Sequence, residues 1–247
     1  MRKITFFAAL FISILFAACQ NSDLELAQVE NLTDGEQVTP LRETFDFTYN
    51  GESYSSPFYM ENDTLMILED EKVAAVYDRI QELPELATYV APNGDIEYYD
   101  SYEELEINKQ SKGLKNKNAT PRSYSYTITI FEHADFNALR LGRRQELVPP
   151  IAIPDLGSEL YKMDDMISSF TAGSRHQTSF YGTHGITFFR NPNYKAQSIT
   201  FTYKSTDGGF DELGNYLYCK VRNFHDYKVK KKINWNDRIS SLKTFVQ

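Results

Sequence analysis

Cysteine is nearly absent: the chain has two, Cys19 and Cys219. That excludes the dense disulfide framework by which small secreted domains are stapled. Histidine is scarce too, with His133, His176, His184 and His225. None forms a His-x-x-x-His pair or lies near a cysteine in zinc spacing. No Gly-x-Ser-x-Gly elbow occurs, and no catalytic constellation stands out. Positive charge is in deficit, with 26 Lys and Arg against 34 Asp and Glu and a net charge of −8. A nucleic-acid partner needs a basic face and is disfavoured; cations are compatible with this balance. Long apolar runs are missing everywhere except at the start.

That start is Met1-Arg2-Lys3 followed by an apolar run from Ile4 to Ala18. A charged stretch, a short apolar stretch and small residues describe a secretory signal over 1–18. The run falls short of the about 20 residues that span a bilayer. It ends Phe16-Ala17-Ala18-Cys19, which resembles a bacterial lipobox, although Leu is usual where Phe16 stands. The resemblance implies acylation of Cys19 and a lipid anchor in the cell envelope, with the outer membrane expected. Several acyl chains make such an anchor durable, at about 0.8 kcal/mol per buried methylene. Losing Arg2 and Lys3 would move the net charge from −8 to −10.

Residues 19–43 are polar without apolar period and read as a tether. A small α+β module is expected over 44–107. Phe45, Phe47 and Tyr49 alternate, Asn50-Gly51 turns the chain, and Tyr54 and Phe58 continue a hairpin. Thr64–Leu68 is a further strand. Val73, Val76, Tyr77, Ile80 and Leu83 share a helical face, with Asp70 as N-cap and Pro84 as the stop. Pro92-Asn93-Gly94-Asp95 then joins Ala87–Val90 to Ile96–Tyr99 as a second hairpin. Residues 108–122 carry Lys109, Lys112, Lys115, Lys117 and Arg122 with little that is apolar, and read as a linker. From 123 to 247 alternation and turn signals recur with no long helical period, which predicts a mainly β sandwich.

Two segments of this half match each other. Phe131-Glu132-His133-Ala134-Asp135-Phe136-Asn137-Ala138 leads to Asp164-Asp165-Met166-Ile167-Ser168-Ser169. Phe189-Arg190-Asn191-Pro192-Asn193-Tyr194-Lys195-Ala196 leads to Asn236-Asp237-Arg238-Ile239-Ser240-Ser241. Each has an aromatic, four residues, an aromatic, one residue and Ala. Each closes on two Asp or Asn, two variable residues and Ser-Ser. Asp, Asn and Ser are short oxygen donors, and calcium takes 6–8 oxygens at about 2.3–2.6 Å. The same residues also favour plain turns. The spaced acids, Gly and terminal Glu of an EF-hand are absent.

In these motifs the chain resembles the βγ-crystallin family over about 123–247. The resemblance implies paired Greek keys in a sandwich, calcium as the cofactor, and no enzymatic activity. It assigns side-chain oxygens to Asp165, Asp237, Ser168 and Ser240, and carbonyls to Met166 and Arg238. Asp164 and Asn236 brace the loops, Ser169 and Ser241 bond the folded hairpins, and each site is completed by the partner motif's hairpin at Glu132 or Arg190. Two departures stand out. The family glycine of the hairpin is Ala138 and Ala196, where a positive φ is awkward for alanine. Arg190 replaces an acid, so the site it borders is expected to be the weaker. A second reading keeps the scaffold without calcium, as a protein-binding or protease-inhibitor-like module working through Val148–Pro154. An unidentified envelope or extracellular protein would be the partner there. Lys228–Lys232 is read as a solvated strand edge, and Cys219 as a packed thiol.

Overall fold

The computed structural model describes residues 43–61, 65–111, 126–175, 182–230 and 233–246. The expected signal, the acylated Cys19, the tether up to residue 42, residues 112–125 and His176 lie outside them. No helix among the described residues is long and apolar enough to cross a membrane.

The first hairpin pairs β1 (Thr44–Tyr49) with β2 (Glu52–Glu61) through Asn50 and Gly51, both at positive φ. That is the left-handed geometry a two-residue hairpin demands, and Asn-Gly supplies it at little cost. Strand β3 (Leu65–Leu68) pairs with β2. Helix α1 (Glu71–Gln81) begins where Asp70 Oδ1 accepts from Lys72 N and Val73 N at 2.8 and 3.1 Å. This satisfies two of the N–H groups a helix start leaves without partners. Tyr77 and Ile80 carry its buried face onto Phe47, Leu86 and Tyr98. Strands β4 (Ala87–Val90) and β5 (Ile96–Tyr99) form the second hairpin.

Helix α2 (Tyr102–Ser111) was not expected, and it takes in Asn108–Ser111, the start of the segment read as linker. Its signal was present. Ser101-Tyr102-Glu103-Glu104 has the capping-box pattern: Glu104 N donates to Ser101 Oγ at 3.2 Å, while the Glu104 carboxylate accepts from Asp100 N, one residue before the cap. Lys109 is buried rather than solvated, with its ammonium 4.1 Å from the centre of the Phe245 ring. Burial pulls its pKa down to about 8, against the opposing pull of Glu106. From the other side Lys243 lies 4.0 Å over the Tyr102 ring. Two cations over two aromatic faces join α2 to the C-terminal half.

The C-terminal half contains strands β6 (Thr127–Phe131), β7 (Arg144–Leu147), β8 (Ala152–Ile153) and β9 (Ser169–Ser174). It continues with β10 (His184–Asn191), β11 (Lys195–Tyr203), β12 (Gly209–Phe210) and β13 (Tyr216–Val221). It ends with β14 (Lys228–Lys230), β15 (Ile233–Asn234) and β16 (Ser241–Val246). One sheet runs β3-β2-β1-β5-β4-β11-β10-β16-β8, and a second runs β12-β13-β9-β6-β7. The chain is mainly β. In the first motif, β6, β7 and β9 stay together while β8 crosses to pair with β16. In the second, β10, β11 and β16 stay together while β13 crosses to pair with β9. Each motif thus lends one strand to the other's sheet, the arrangement of two interlocked Greek keys.

The core lies between these sheets. Phe170, Phe188 and Phe224 pack ring on ring, with centroids 5.2–5.9 Å apart, and Trp235 is buried nearby. Each such ring contributes about 1.5–3 kcal/mol by leaving water. The N-terminal unit does not stand apart. Strand β4 pairs in parallel with β11, from Ala87 opposite Ser198 to Val90 opposite Phe201. One sheet therefore continues from the α+β part into the sandwich.

Candidate metal centre

The two Ser-Ser loops lie against each other where the motifs meet. Asp165 N donates to Ile239 O at 3.1 Å, and Asp237 N donates to Ile167 O at 3.3 Å. Ser168 N donates to Phe131 O, and Ser240 N to Phe189 O, each at 3.0 Å. Asp165 and Asp237 both sit at positive φ, 49° and 52°. Left-handed backbone is tolerated by Asp better than by most side chains. An approximate twofold therefore relates the loops, bond for bond.

The second serine of each pair ties its own hairpin. Ser169 Oγ donates to His133 O at 2.6 Å and accepts from Phe136 N at 3.2 Å. Ser241 Oγ donates to Asn191 O at 2.7 Å and accepts from Tyr194 N at 3.1 Å. Both serines are fully buried, so each hydroxyl satisfies a main-chain acceptor and donor held away from water.

The first serine of each pair faces the opposite loop. Ser168 Oγ lies 2.7 Å from the Glu132 carbonyl oxygen and 2.8 Å from Asp237 Oδ1. A hydroxyl has one proton to give. Here it meets two acceptors, one of them a carboxylate. Three oxygens from three chain segments thus converge at hydrogen-bond spacing, and all three are of the hard donor type that calcium takes. Across the twofold, Ser240 Oγ reaches Asp165 Oδ1 at 3.5 Å. That pair is looser. Among the described residues no group of three or more His, Cys, Asp or Glu comes together as a metal cluster.

The other assigned residues fall around these two pairs. Each loop is divided: its second serine ties its own hairpin, while its aspartate faces the partner loop's first serine. Glu132 brings its carbonyl to Ser168, and its carboxylate accepts from Arg143 N at 2.7 Å. Arg190 extends to Gln197 Oε1 at 3.1 Å, and Gln197 donates onward to Leu83 O at 3.2 Å. The N-terminal unit therefore helps to hold the cation beside the second pair. Asn236 donates to Asp237 Oδ2 at 2.7 Å, which braces that carboxylate. Asp164 is exposed beside Asp165. Met166 takes Arg143 against its sulfur at 3.6 Å, and Arg238 is exposed. Partial desolvation raises the pKa of the Asp165 carboxyl, and Asp164 adds to the rise; Ser240, Arg190 and Arg238 oppose it.

The two hairpins differ at their alanines. Ala196 has φ 65°, the left-handed value its place was expected to require. Ala138 has φ −62°, ordinary right-handed backbone. Both hairpins turn left-handed at two equivalent residues, Asp135 and Phe136 or Asn193 and Tyr194, and the first takes its third left-handed residue one position earlier, at Asn137. Val148–Pro154 is not a free working loop throughout: Ala152 and Ile153 are strand β8, paired with Lys243 and Leu242. Cys219 is buried in the core between the sheets.

The C-terminal half is βγ-crystallin-like. The interlocked keys and the two symmetry-related Ser-Ser loops carry that statement. No family model matches the chain, and no curated protein matches it. Among solved structures, it is similar to a single-site mutant of a βγ-crystallin domain from Clostridium beijerinckii. The identity is 15%, over 48% of this chain and 97% of that one, with a TM-score of 0.29.

Sequence reasoning named Glu132 and missed two contributors, Arg143 and Gln197. Glu132 was picked for a position where the carbonyl, not the acid, does the reaching. Arg143, which donates to Lys162 O at 2.7 Å, fastens the first hairpin to the loop before Asp164. Gln197, which steers Arg190, carries no signal in a strand that otherwise reads as core.

Proposed function

We propose that the protein is a non-enzymatic calcium-binding protein of the cell envelope, stabilised by the ion and held to a membrane by acyl chains on Cys19. The observation behind it is the Ser168 hydroxyl, set between Glu132 O and Asp237 Oδ1 with one proton for two acceptors. In this reading Glu132 O, Ser168 Oγ and Asp237 bind the tighter ion, with the Met166 carbonyl and Asn236 at its margin. Ser240 and Asp165 bind the weaker, beside Asp164, Arg190 and the Arg238 carbonyl. Arg190 and Arg238 oppose a second positive charge there. Bound calcium supplies cross-links between the two Greek keys.

Extracellular calcium modules have dissociation constants of about 10⁻⁴–10⁻³ M. At about 10 mM calcium the stabilisation is then about 1.4–2.7 kcal/mol, from RT ln(1 + [L]/Kd). The test is thermal melting of the protein in calcium and in chelator, with calorimetric titration alongside. A rise in Tm that Ser168→Ala reduces supports the reading. Identical melting in calcium and chelator sinks it. The division of the chain belongs to the same proposal in a narrower form, with the linker beginning after α2. Limited proteolysis should cut within 112–125 and spare Asn108–Ser111.

A further inference from the structure

The tip of the first hairpin carries Leu139 and Leu141 at 88% and 101% exposure. Leucines this bare on a folded protein ask for a partner when other apolar groups stand beside them. Between Phe136 and Gln145 the charged residues are Arg140, Arg143 and Arg144, all positive, in a chain of net charge −8; Glu146, next along β7, lies 3.6 Å from Arg144 with both side chains exposed. The neighbouring loop, fastened by Arg143 Nη1 to Lys162 O at 2.7 Å, brings Leu160 at 73% exposure.

The tip is held out by its base. Asn137 Nδ2 donates to Arg143 O at 3.0 Å, and Asn137 Oδ1 accepts from His133 N at 2.9 Å. Glu132 N also donates to Arg143 O at 3.0 Å, while the Glu132 carboxylate takes Arg143 N. Gly142 lets His133 close in; a Cβ there would stand 2.7 Å from His133 Cδ2. Leu139-Arg140-Leu141 is thus presented on a cross-braced stem with both leucines bare.

We propose that this tip docks on an anionic lipid bilayer, with Leu139 and Leu141 entering the headgroup–acyl boundary and Arg140 and Arg144 engaging lipid phosphates. Apolar residues between arginines suit that boundary, since the rings of charge stay in the headgroups while the leucines leave water. Arg140 at the tip, with Arg143 and Arg144 at its base, favours an anionic surface in spite of Glu146 and the acidic protein behind it. The inference does not depend on calcium.

The test places a reporter at the tip of the full chain, Leu141→Trp. The single native tryptophan, Trp235, is buried and supplies a constant background. Vesicles of phosphatidylcholine, with or without phosphatidylglycerol, carry brominated acyl chains, in chelator. The readout is the depth of residue 141, because the apolar N-terminal segment could bring the full chain to either vesicle. Blue shift and bromine quenching on the anionic vesicles alone are expected. Adding Arg140→Gln and Arg144→Gln should raise the lipid needed for half-quenching by about tenfold or more, each arginine near the surface being worth about fivefold. No quenching on anionic vesicles overturns the proposal, as does equal quenching on zwitterionic ones or an unchanged response without the two arginines.

Discussion

The two Greek keys share a backbone plan and differ in how they use it. In both, the second serine ties the hairpin with one donated and one accepted bond, and the distances agree within 0.1 Å. In both, the aspartate N–H crosses to the partner loop. The first serines diverge. Ser168 meets a carbonyl and a carboxylate at 2.7 and 2.8 Å, while Ser240 meets its carboxylate at 3.5 Å. The hairpin alanines diverge as well. Main-chain and buried hydroxyl geometry is copied, because a buried donor or acceptor left unmatched costs as much in one motif as in the other. Charge and exposed turn geometry are free to drift, and there the motifs become unequal.

The largest expected effect tests the shared part. Ser169→Ala and Ser241→Ala each strand a main-chain carbonyl and N–H, at about 1–3 kcal/mol. Denaturant midpoints in chelator should fall by similar amounts for both. A cost confined to one motif would break the symmetry argued from the hydrogen bonds.

The next tests the unequal part. If the tighter ion sits at Ser168, Asp237→Ala should remove most of the calcium-dependent stabilisation of about 1.4–2.7 kcal/mol, and Asp165→Ala the smaller share. Melting of both variants with and without calcium reads this directly. Equal losses would place the two sites on a par.

The hairpins should respond with opposite signs to one substitution. Ala196→Gly removes a left-handed strain of about 1–2 kcal/mol and gives some back as chain entropy, for a gain of up to about 1 kcal/mol. Ala138→Gly relieves nothing and should cost about 0.4–1 kcal/mol. Chemical unfolding of the two variants sharpens the comparison, and gains in both would refute it.

The smallest effect concerns pH. The pKa of the Asp165 carboxyl is raised in the folded state by partial desolvation and by Asp164. Without calcium, its contribution to stability is therefore greatest below its unfolded pKa of about 3.9 and declines as pH rises through the higher folded pKa. Calcium prefers the ionised form, so acidification should weaken this site at a higher pH than an ordinary carboxylate would. Calcium titrations from pH 7 downward, compared with Asp165→Asn, check the order.

Much of this fold was legible early. Alternation from Phe45 to Tyr49 and the Asn50-Gly51 turn marked the first hairpin, because side-chain period and turn chemistry are local. Asp70 marked the start of α1 for the same reason. Helix α2 was overlooked, although Ser101 and Glu104 announced it, because a polar, lysine-bearing run resembles solvated chain. Whether Lys109 is solvated depends on Phe245, more than a hundred residues away. The candidate site divided in the same manner. Its residue types were readable from the repeat, but which carboxylate faces which serine was not.

By itself the sequence determined the repeat, the oxygen-rich loops, the hairpins and the deficit of cysteine. Each depends on residue type and spacing within a short stretch of chain. Only the tertiary structure decided that β8 and β13 change sheets, that Asp237 serves Ser168, that Gln197 holds Arg190, and that β4 extends the sandwich sheet beside β11. These are choices among distant partners of similar local chemistry. They are made by which arrangement buries Phe170, Phe188 and Phe224 together while leaving each buried main-chain group a partner.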